Sequence, residues 1–220
     1  MKKYPILKNN LISGFLLLVS PGILGQTVEK LYVNMPDAFN PTLTSQNRLE
    51  LLEYHKAGQG DSITNRFGLK SYLVGYDSLQ QQIVVKNSPG STFEMKILRL
   101  EDHTPVVGII RTVCAPTCLS TVEFYDTAWN RIPVQFTMPK AIEWLDVASI
   151  PSDKIDVQWA GHLMGIGFIS LHFSDKNQQL VAKNNTLDFL SVEDRKVVAP
   201  YVSNKTLSYE LKGLAWQRKP

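Results

Sequence analysis

The sequence has few of the residues that carry the commonest kinds of protein chemistry. It contains two cysteines and four histidines among 220 residues. No Gly-x-Ser-x-Gly segment occurs, and no pair of histidines has the His-Glu-x-x-His spacing of a helical zinc site. The segment Gly165-Ile166-Gly167 lacks the third glycine and the following helix of a phosphate-binding loop. We therefore predict no catalytic residue, no metal ligand and no cofactor site.

An excess of charge of one sign is also lacking outside the first 25 residues. The whole chain has 23 Lys and Arg against 20 Asp and Glu. Three of the lysines, Lys2, Lys3 and Lys8, lie in residues 1–25, which contain no acidic residue. Residues 26–220 therefore carry 20 charges of each sign, since 23 minus 3 is 20. A balanced chain without a Lys/Arg cluster is not expected to bind nucleic acid.

Long apolar runs are absent after residue 25. The run near the N-terminus, Leu11–Val19, is shorter than the roughly 20 residues that a membrane-spanning helix needs. It follows the three lysines, and Ile23-Leu24-Gly25 then ends on a small residue. This order predicts a signal peptide over residues 1–25, cleaved near Gly25, rather than a membrane anchor. We therefore expect an exported protein, periplasmic or associated with the outer envelope, that is soluble after cleavage and has no integral membrane segment.

Five segments rich in β-branched and aromatic residues predict consecutive β-strands. Short connections with turn residues separate them, and such connections join only antiparallel neighbours. The predicted strands are Ser71–Tyr76, Gln82–Lys86, Thr92–Leu100, Val106–Val113 and Thr121–Tyr125.

The third of these strands alternates in polarity. Phe93, Met95 and Ile97 alternate with Glu94 and Lys96. The alternation predicts that one face of the sheet contacts a core and that the other faces water.

The remaining segments predict a few helices and a second group of strands. Before the meander, Leu31–Pro36 reads as extended, and a helix is expected from Thr44 to Gly58. After a break flanked by Pro133 and Pro139, the expected elements are a short helix over Lys140–Val147, strands over Gly165–Phe173 and Leu180–Lys183, a helix from Ser191 toward Ala199, and a strand over Lys205–Leu211.

These elements predict an α+β fold. An antiparallel β-meander sheet is covered on one face by a few short helices, and a smaller C-terminal part combines helices with strands. We place the N-terminal helix and meander in residues 26–132 and the C-terminal α+β part in residues 133–220. We expect the two to pack as one unit.

The two cysteines, Cys114 and Cys118, enclose Ala-Pro-Thr. An oxidising compartment permits a disulfide between them if the chain turns back on itself. A redox-active pair usually has two intervening residues at a helix N-terminus, whereas this pair follows a strand-like run. The spacing therefore favours a local structural clip or two free thiols.

Several short strings resemble one family of exported proteins from Gram-negative gut anaerobes, domain of unknown function 3256. They are Asn34-Met35-Pro36-Asp37, Asn47-Arg48-Leu49-Glu50, Arg111-Thr112-Val113-Cys114 with Phe124-Tyr125 and Trp129, and the segment from Ser191 to Tyr201. The likeness extends over most of the chain after residue 25. It implies a periplasmic or envelope setting and an α+β fold, and it assigns no activity.

The same resemblance draws attention to three Asp-Ser/Thr-apolar triplets. Some Gram-negative anaerobes attach O-linked glycans to exported proteins at this pattern, which makes Ser62, Ser78 and Thr127 candidate O-glycosylation sites. The alternative is that the aspartates simply favour turns, because their side chains bond to the nearby backbone.

The sequence as a whole favours a non-catalytic, exported binding or interaction protein. Its partner would be an unknown envelope protein or an apolar ligand. Strand aromatics such as Tyr72, Tyr76, Phe93 and Phe124 favour this role, and core packing explains most of them equally well. One alternative is a lipid carrier, which needs a cavity large enough for an acyl chain, whereas a protein adaptor needs an exposed apolar patch. The other is a hydrolase-like enzyme that uses the dispersed carboxylates Glu101, Asp102 and Asp126.

Overall fold

The computed structural model of the chain describes residues 26–151, 155–174 and 178–220. The predicted signal peptide, residues 1–25, lies outside the described residues. Most of the predicted hairpin connection at Ser174–Asn177 also lies outside them, since only Ser174 is described. No helix within the described ranges is long and apolar enough to cross a membrane.

Two N-terminal helices form where side chains can bond their first free amides. Helix α1 (Val28–Asn34) begins after Thr27, whose side-chain oxygen accepts from the Lys30 amide. Helix α2 (Ser45–Lys56) begins with a reciprocal capping box between Thr44 and Asn47. Our prediction of an extended segment at Leu31–Pro36 is therefore wrong. A helix forms there because its buried residues recur at helical spacing and pack as one face.

The first sheet, sheet A, is a six-stranded antiparallel meander with its strands in chain order. The structure confirms the five predicted strands and adds the three-residue β1 before them. The strands are β1 (Ser62–Thr64), β2 (Lys70–Asp77), β3 (Gln82–Ser88), β4 (Ser91–Arg99), β5 (Pro105–Cys114) and β6 (Cys118–Tyr125).

The C-terminal part forms the second sheet, sheet B, with strand order β10-β9-β8-β7. Its elements are α3 (Val157–Gly165), β7 (Ile169–Phe173), β8 (Gln179–Asn184), α4 (Val192–Val198), β9 (Leu207–Lys212) and β10 (Ala215–Arg218). Helix α3 and strand β10 were not predicted, and the strand predicted from Gly165 begins only at Ile169 because Gly165 ends α3. The expected helix over Lys140–Val147 is a 3-10 turn over Ala141–Trp144, followed by a second over Val147–Ser149.

Part of sheet A is covered on both faces. On one face α1 and α2 share a hydrophobic core with residues such as Phe93, Met95 and Ile109. On the other face, Leu98 and Val106 pack in one core with residues of sheet B. The two parts of the α+β fold therefore meet over β4, β5 and β6 of sheet A.

The residues predicted to face water on β4 are buried between the sheets. Glu94 and Lys96 are only 5% and 1% exposed. The Glu94 carboxylate accepts from the Phe173 amide at 2.7 Å, and the Lys96 ammonium donates to the Ser174 carbonyl at 2.5 Å. Our prediction was wrong because alternation identifies two different faces but does not reveal that a second sheet covers the polar one.

The edge strand of sheet B meets side chains of sheet A. Besides the Phe173 amide, the Leu171 amide of β7 donates to the Ser120 hydroxyl at 2.9 Å. At the opposite edge, the Gln135 backbone bonds to Leu214 and Trp216. Both edges of sheet B are thus tied to other parts of the chain.

Candidate functional site

Four large apolar side chains are exposed together around the β1–β2 hairpin. Phe67 is 66% exposed, Leu69 54%, Tyr72 46% and Val74 58%. We call these four residues the hairpin surface. Exposed apolar groups that lie together, rather than scattered singly, mark interaction sites more often than chance.

The alternation of β2 explains why Tyr72 and Val74 face outward. Ser71 and Leu73 are buried, and Leu73 belongs to the core beneath α1 and α2. Tyr72 and Val74 therefore point to the opposite face, the one on which sheet B packs over β4, β5 and β6. A β-bulge between Leu73 and Gly75 falls at Val74. Bulges of this kind redirect side chains at sheet edges.

The hairpin conformation is fixed by one buried asparagine. The Asn65 side-chain oxygen accepts from the Phe67 amide at 3.0 Å and from the Leu69 amide at 3.2 Å. Its side-chain nitrogen donates to the Ser71 hydroxyl and to the Asn87 carbonyl. Because Asn65 is only 5% exposed, these buried hydrogen bonds fix the backbone of the turn at Phe67 and Leu69.

The same network reaches across the fold. Ser71 donates to the Asn87 carbonyl, and the side chains of Asn87 and Asn40 exchange two hydrogen bonds. The hairpin is thereby tied to β3 and to the loop after α1. Because the hairpin is already ordered, this chain loses little conformational entropy when a partner binds to it.

A groove of about 490 Å³ runs beside this surface. Leu69, Tyr72 and Val74 line it together with two lysines, Lys70 and Lys86. Asp61 also lines it, but its carboxylate lies 2.6 Å from the His55 ring nitrogen. Among the described residues, neither lysine forms a salt bridge, so the rim of the groove is positive.

A second cluster surrounds Arg111 on β5. Its guanidinium donates to the Glu123 carboxylate at 2.6 Å and to the Phe39 carbonyl at 3.0 Å. Burial opposes ionisation of Glu123, but the Arg111 hydrogen bond and the nearby charges outweigh it, so the pKa of this carboxyl is lowered. The Phe39, Tyr125 and Trp129 rings pack against one another here. The cluster therefore joins the loop after α1 to the edge of sheet A.

The residues of the family-like strings thus have structural roles. Arg48 is fully buried and donates to the carbonyls of Leu43, Val33 and Met35, with the Asp37 carboxylate 3.0 Å away. It closes the corner between α1 and α2. Trp129 adopts a left-handed backbone conformation (φ 69°) in a loop that Asp126 caps.

The cysteines lie at the end of the β5–β6 hairpin. Cys114 and Cys118 are paired directly across the two strands and form a disulfide with an S–S distance of 1.98 Å. The ring closes the turn formed by the three intervening residues.

The candidate modification sites differ in accessibility. Ser78 is exposed in the β2–β3 turn, Thr127 is half-buried, and Ser62 is half-buried in β1 rather than in a loop. The preceding Asp77 and Asp126 accept hydrogen bonds from backbone amides of their own turns, which is what the alternative explanation, a turn preference of the aspartates, requires.

Glycosylation stays a prediction, and we expect Ser78 to be the most readily modified. An intact mass of the exported protein equal to that of the bare polypeptide would contradict it.

The three dispersed carboxylates occupy turns at one end of sheet A. Asp102 accepts from the Thr104 amide, and this hydrogen bond lowers the pKa of its carboxyl. Asp126 accepts from the side chain and the backbone amide of Asn130 and from the Ala128 amide, and these hydrogen bonds lower its pKa. Glu101 lines a polar cleft between the sheets together with Glu210. Within the described ranges, no three His, Cys, Asp or Glu side chains are grouped so as to hold a metal ion.

The sequence indicated Tyr72 only as one of four strand aromatics, of which Phe93 and Phe124 are buried, and it did not indicate Phe67, Leu69 or Val74. It predicted no strand before Ser71, so the hairpin itself was missed. The available signal was Asn65-Arg66-Phe67-Gly68, where an asparagine and a glycine enclose a turn that contains an aromatic residue.

Comparison of the chain with models of known families identifies one family. Residues 21–216 match the family described as protein of unknown function, DUF3256. The solved structure of a domain of an uncharacterized protein from Porphyromonas gingivalis W83 is similar, with a TM-score of 0.71 and 18% identity, over 87% of this chain and 97% of that chain. At this identity the similarity concerns the fold alone. No curated protein matches. Since the family match covers most of its length, the chain belongs to the DUF3256 family, whose function is unknown.

Proposed function

We propose that this chain is an exported, non-catalytic binding protein that docks an envelope protein through the hairpin surface. One observation carries the proposal: four apolar side chains, 46% to 66% exposed, stand on a hairpin that buried hydrogen bonds fix in place. Leaving them in water is unfavourable, and a partner that covers them gains this hydrophobic free energy.

A protein partner fits this surface better than a small apolar ligand. Binding sites for small molecules usually bury about 70–90% of the ligand. Here the groove is lined by side chains that are themselves about half exposed. A lipid retained by the protein in native mass spectrometry, after isolation from its own envelope, would instead support the carrier function.

Export is supported by the predicted signal peptide and by the disulfide between Cys114 and Cys118, since disulfides persist in oxidising compartments. N-terminal sequencing of the envelope fraction tests it. We expect a new N-terminus near Gln26. Full-length chain confined to the cytosol would contradict export.

Site-specific photo-crosslinking in living cells tests the docking surface. A photoreactive phenylalanine analogue would replace Tyr72, and in a matched control it would replace Tyr54, a tyrosine of similar exposure on α2. We expect a discrete adduct from position 72 that Leu69→Ser weakens, and none from position 54. Equal adducts at both positions, or none at position 72, would refute the proposal.

A further inference from the structure

The free edge of β1 has a defined hydrogen-bonding geometry. The Leu73 amide donates to the Asp61 carbonyl and the Asn65 amide donates to the Leu69 carbonyl, each at 2.8 Å. Paired residues in an antiparallel ladder alternate between bonded and non-bonded pairs. Ser62 and Thr64, which lie opposite Tyr72 and Lys70, are therefore non-bonded positions. Their N–H and C=O groups point away from β2.

These outward groups lack partners in the described part of the chain. No hydrogen bond from those residues reaches the backbone of Ser62 or Thr64, and Thr64 is exposed. The edges of sheet B are different, because β7 bonds to side chains of sheet A and β10 bonds to the Gln135 backbone. β1 is thus an edge able to accept another strand.

We propose that the partner docks by adding an extended strand to the edge of β1. This inference rests on the proposed function and specifies how the partner binds. Ser62 and Thr64 share the sheet face of Tyr72 and Lys70, because residues opposite one another in a ladder point to the same side. Every second side chain of an added strand would then face the hairpin surface, which gives specificity to the main-chain pairing.

The charge of the groove defines the partner chemistry. Lys70 and Lys86 lie beside Tyr72 and Val74. Lys70, Tyr72 and Lys86 share one face of the sheet, so their ammonium and apolar groups favour a strand that presents both apolar residues and carboxylates on that face, at every second position. A second copy of this chain fits less well, since its β1 would present only Ser62 and Thr64 to this face, and neither is apolar or carries a carboxylate.

Synthetic peptides test this pairing by fluorescence anisotropy with the exported protein. The probe is a blocked octapeptide in which valine and glutamate alternate at the odd positions and threonine occupies the even positions, so that both groups face the same side. One control replaces glutamate with lysine. The other keeps all the side chains but carries N-methyl groups on alternate amides, which removes the donors needed for strand addition. We expect both controls to bind at least about tenfold more weakly, and no binding of the probe at about 1 mM would overturn the proposal.

Variants of the edge give a second measurement. Thr64→Pro removes the outward N–H, whereas Thr64→Val keeps it and has a similar shape. Proline is tolerated at edge positions whose N–H is unpaired, and unchanged thermal unfolding would verify the fold. We expect about tenfold weaker probe binding for Thr64→Pro and less than about twofold change for Thr64→Val. Ser62→Pro serves as the second edge variant.

The outcomes separate this inference from the proposed function. If Leu69→Ser weakens the cross-linked complex, while the Thr64→Pro variant binds the probe normally and the N-methylated peptide binds as well as the probe, then the docking surface is correct and strand addition is wrong. If light scattering shows a dimer that Thr64→Pro dissociates, the occupant of the edge is a second copy and the proposed partner chemistry is wrong.

Discussion

At the residue scale, a few side chains determine how closely the layers approach. Gly108 on β5 lies beneath the Phe173 ring of sheet B, and a Cβ atom at this position would lie 2.5 Å from the ring carbon Cζ. Glycine is therefore required because of a contact between the sheets. The sequence could not reveal this, since Phe173 is 65 positions later in the chain.

We expect Gly108→Ala to destabilise the protein by about 1–3 kcal/mol, because the added methyl group displaces the Phe173 ring. Urea unfolding measures the effect. Gly165→Ala is the matched control, as no atom lies within 4 Å of its added Cβ. An equal loss of stability in both variants would contradict the close-contact explanation.

A second residue-scale prediction concerns pH. The Glu29 carboxylate accepts hydrogen bonds from Lys56 and Tyr76, and these bonds lower its pKa. A carboxyl whose folded pKa lies below its unfolded value, about 4.3, adds stability above that pH. The contribution is lost as pH falls through the folded pKa.

Glu29→Gln should therefore be less stable than the unmodified protein at pH 7, and the difference should shrink below about pH 4. Chemical unfolding across this range measures it. Glu53→Gln, an exposed glutamate on α2, is the control and should follow the unmodified protein at every pH. If the difference in the free energy of unfolding between Glu29→Gln and the unmodified protein stayed constant with pH, the lowered pKa of Glu29 would not contribute to stability.

At the scale of elements, strong periodicity made β2 to β6 predictable. Each is long, rich in β-branched residues and bounded by turn residues. The short elements were not predictable in the same way: β1 has three residues and α1 has seven. An apolar run of that length fits either helix or strand until its neighbours are known. The hairpin surface was missed for this reason.

The β5–β6 hairpin yields a prediction at this scale. Replacing both Cys114 and Cys118 with serine should lower the free energy of unfolding by about 2 kcal/mol, because a short ring constrains the unfolded chain only modestly. Thermal unfolding with and without reductant measures the loss. Reductant should destabilise the unmodified protein to the same extent and should leave the stability of the double variant unchanged. If the double variant were as stable as the unmodified protein, the disulfide would not have a stabilising role.

At the scale of the whole molecule, the two sheets are joined by polar as well as apolar contacts. Glu94 accepts from the Phe173 amide and from the Gln82 side chain, and Gln82 also donates to the Phe173 carbonyl. Side chains of sheet A thus satisfy backbone groups at an edge of sheet B. Buried donors that lose their acceptors are costly, so these bonds favour one position of the sheets relative to each other.

Glu94→Leu should reduce stability by at least about 2 kcal/mol, since two buried donors lose their acceptor. Glu94→Gln, which keeps a side-chain oxygen, should cost less. Amide hydrogen exchange locates the effect: protection should fall at Phe173 and persist at Leu171, whose amide bonds to Ser120 instead. Unchanged protection at Phe173 would show that this contact does not fix the sheets.

The close contact between Phe173 and Gly108 joins two segments that would lie on different fragments if the chain were cut between the sheets. Two fragments separated within the Asp126–Asn130 loop would each leave a large apolar surface in water. Neither half should fold alone, yet mixing them should restore the native structure by complementation. Such a split form would report directly on the association of the two sheets.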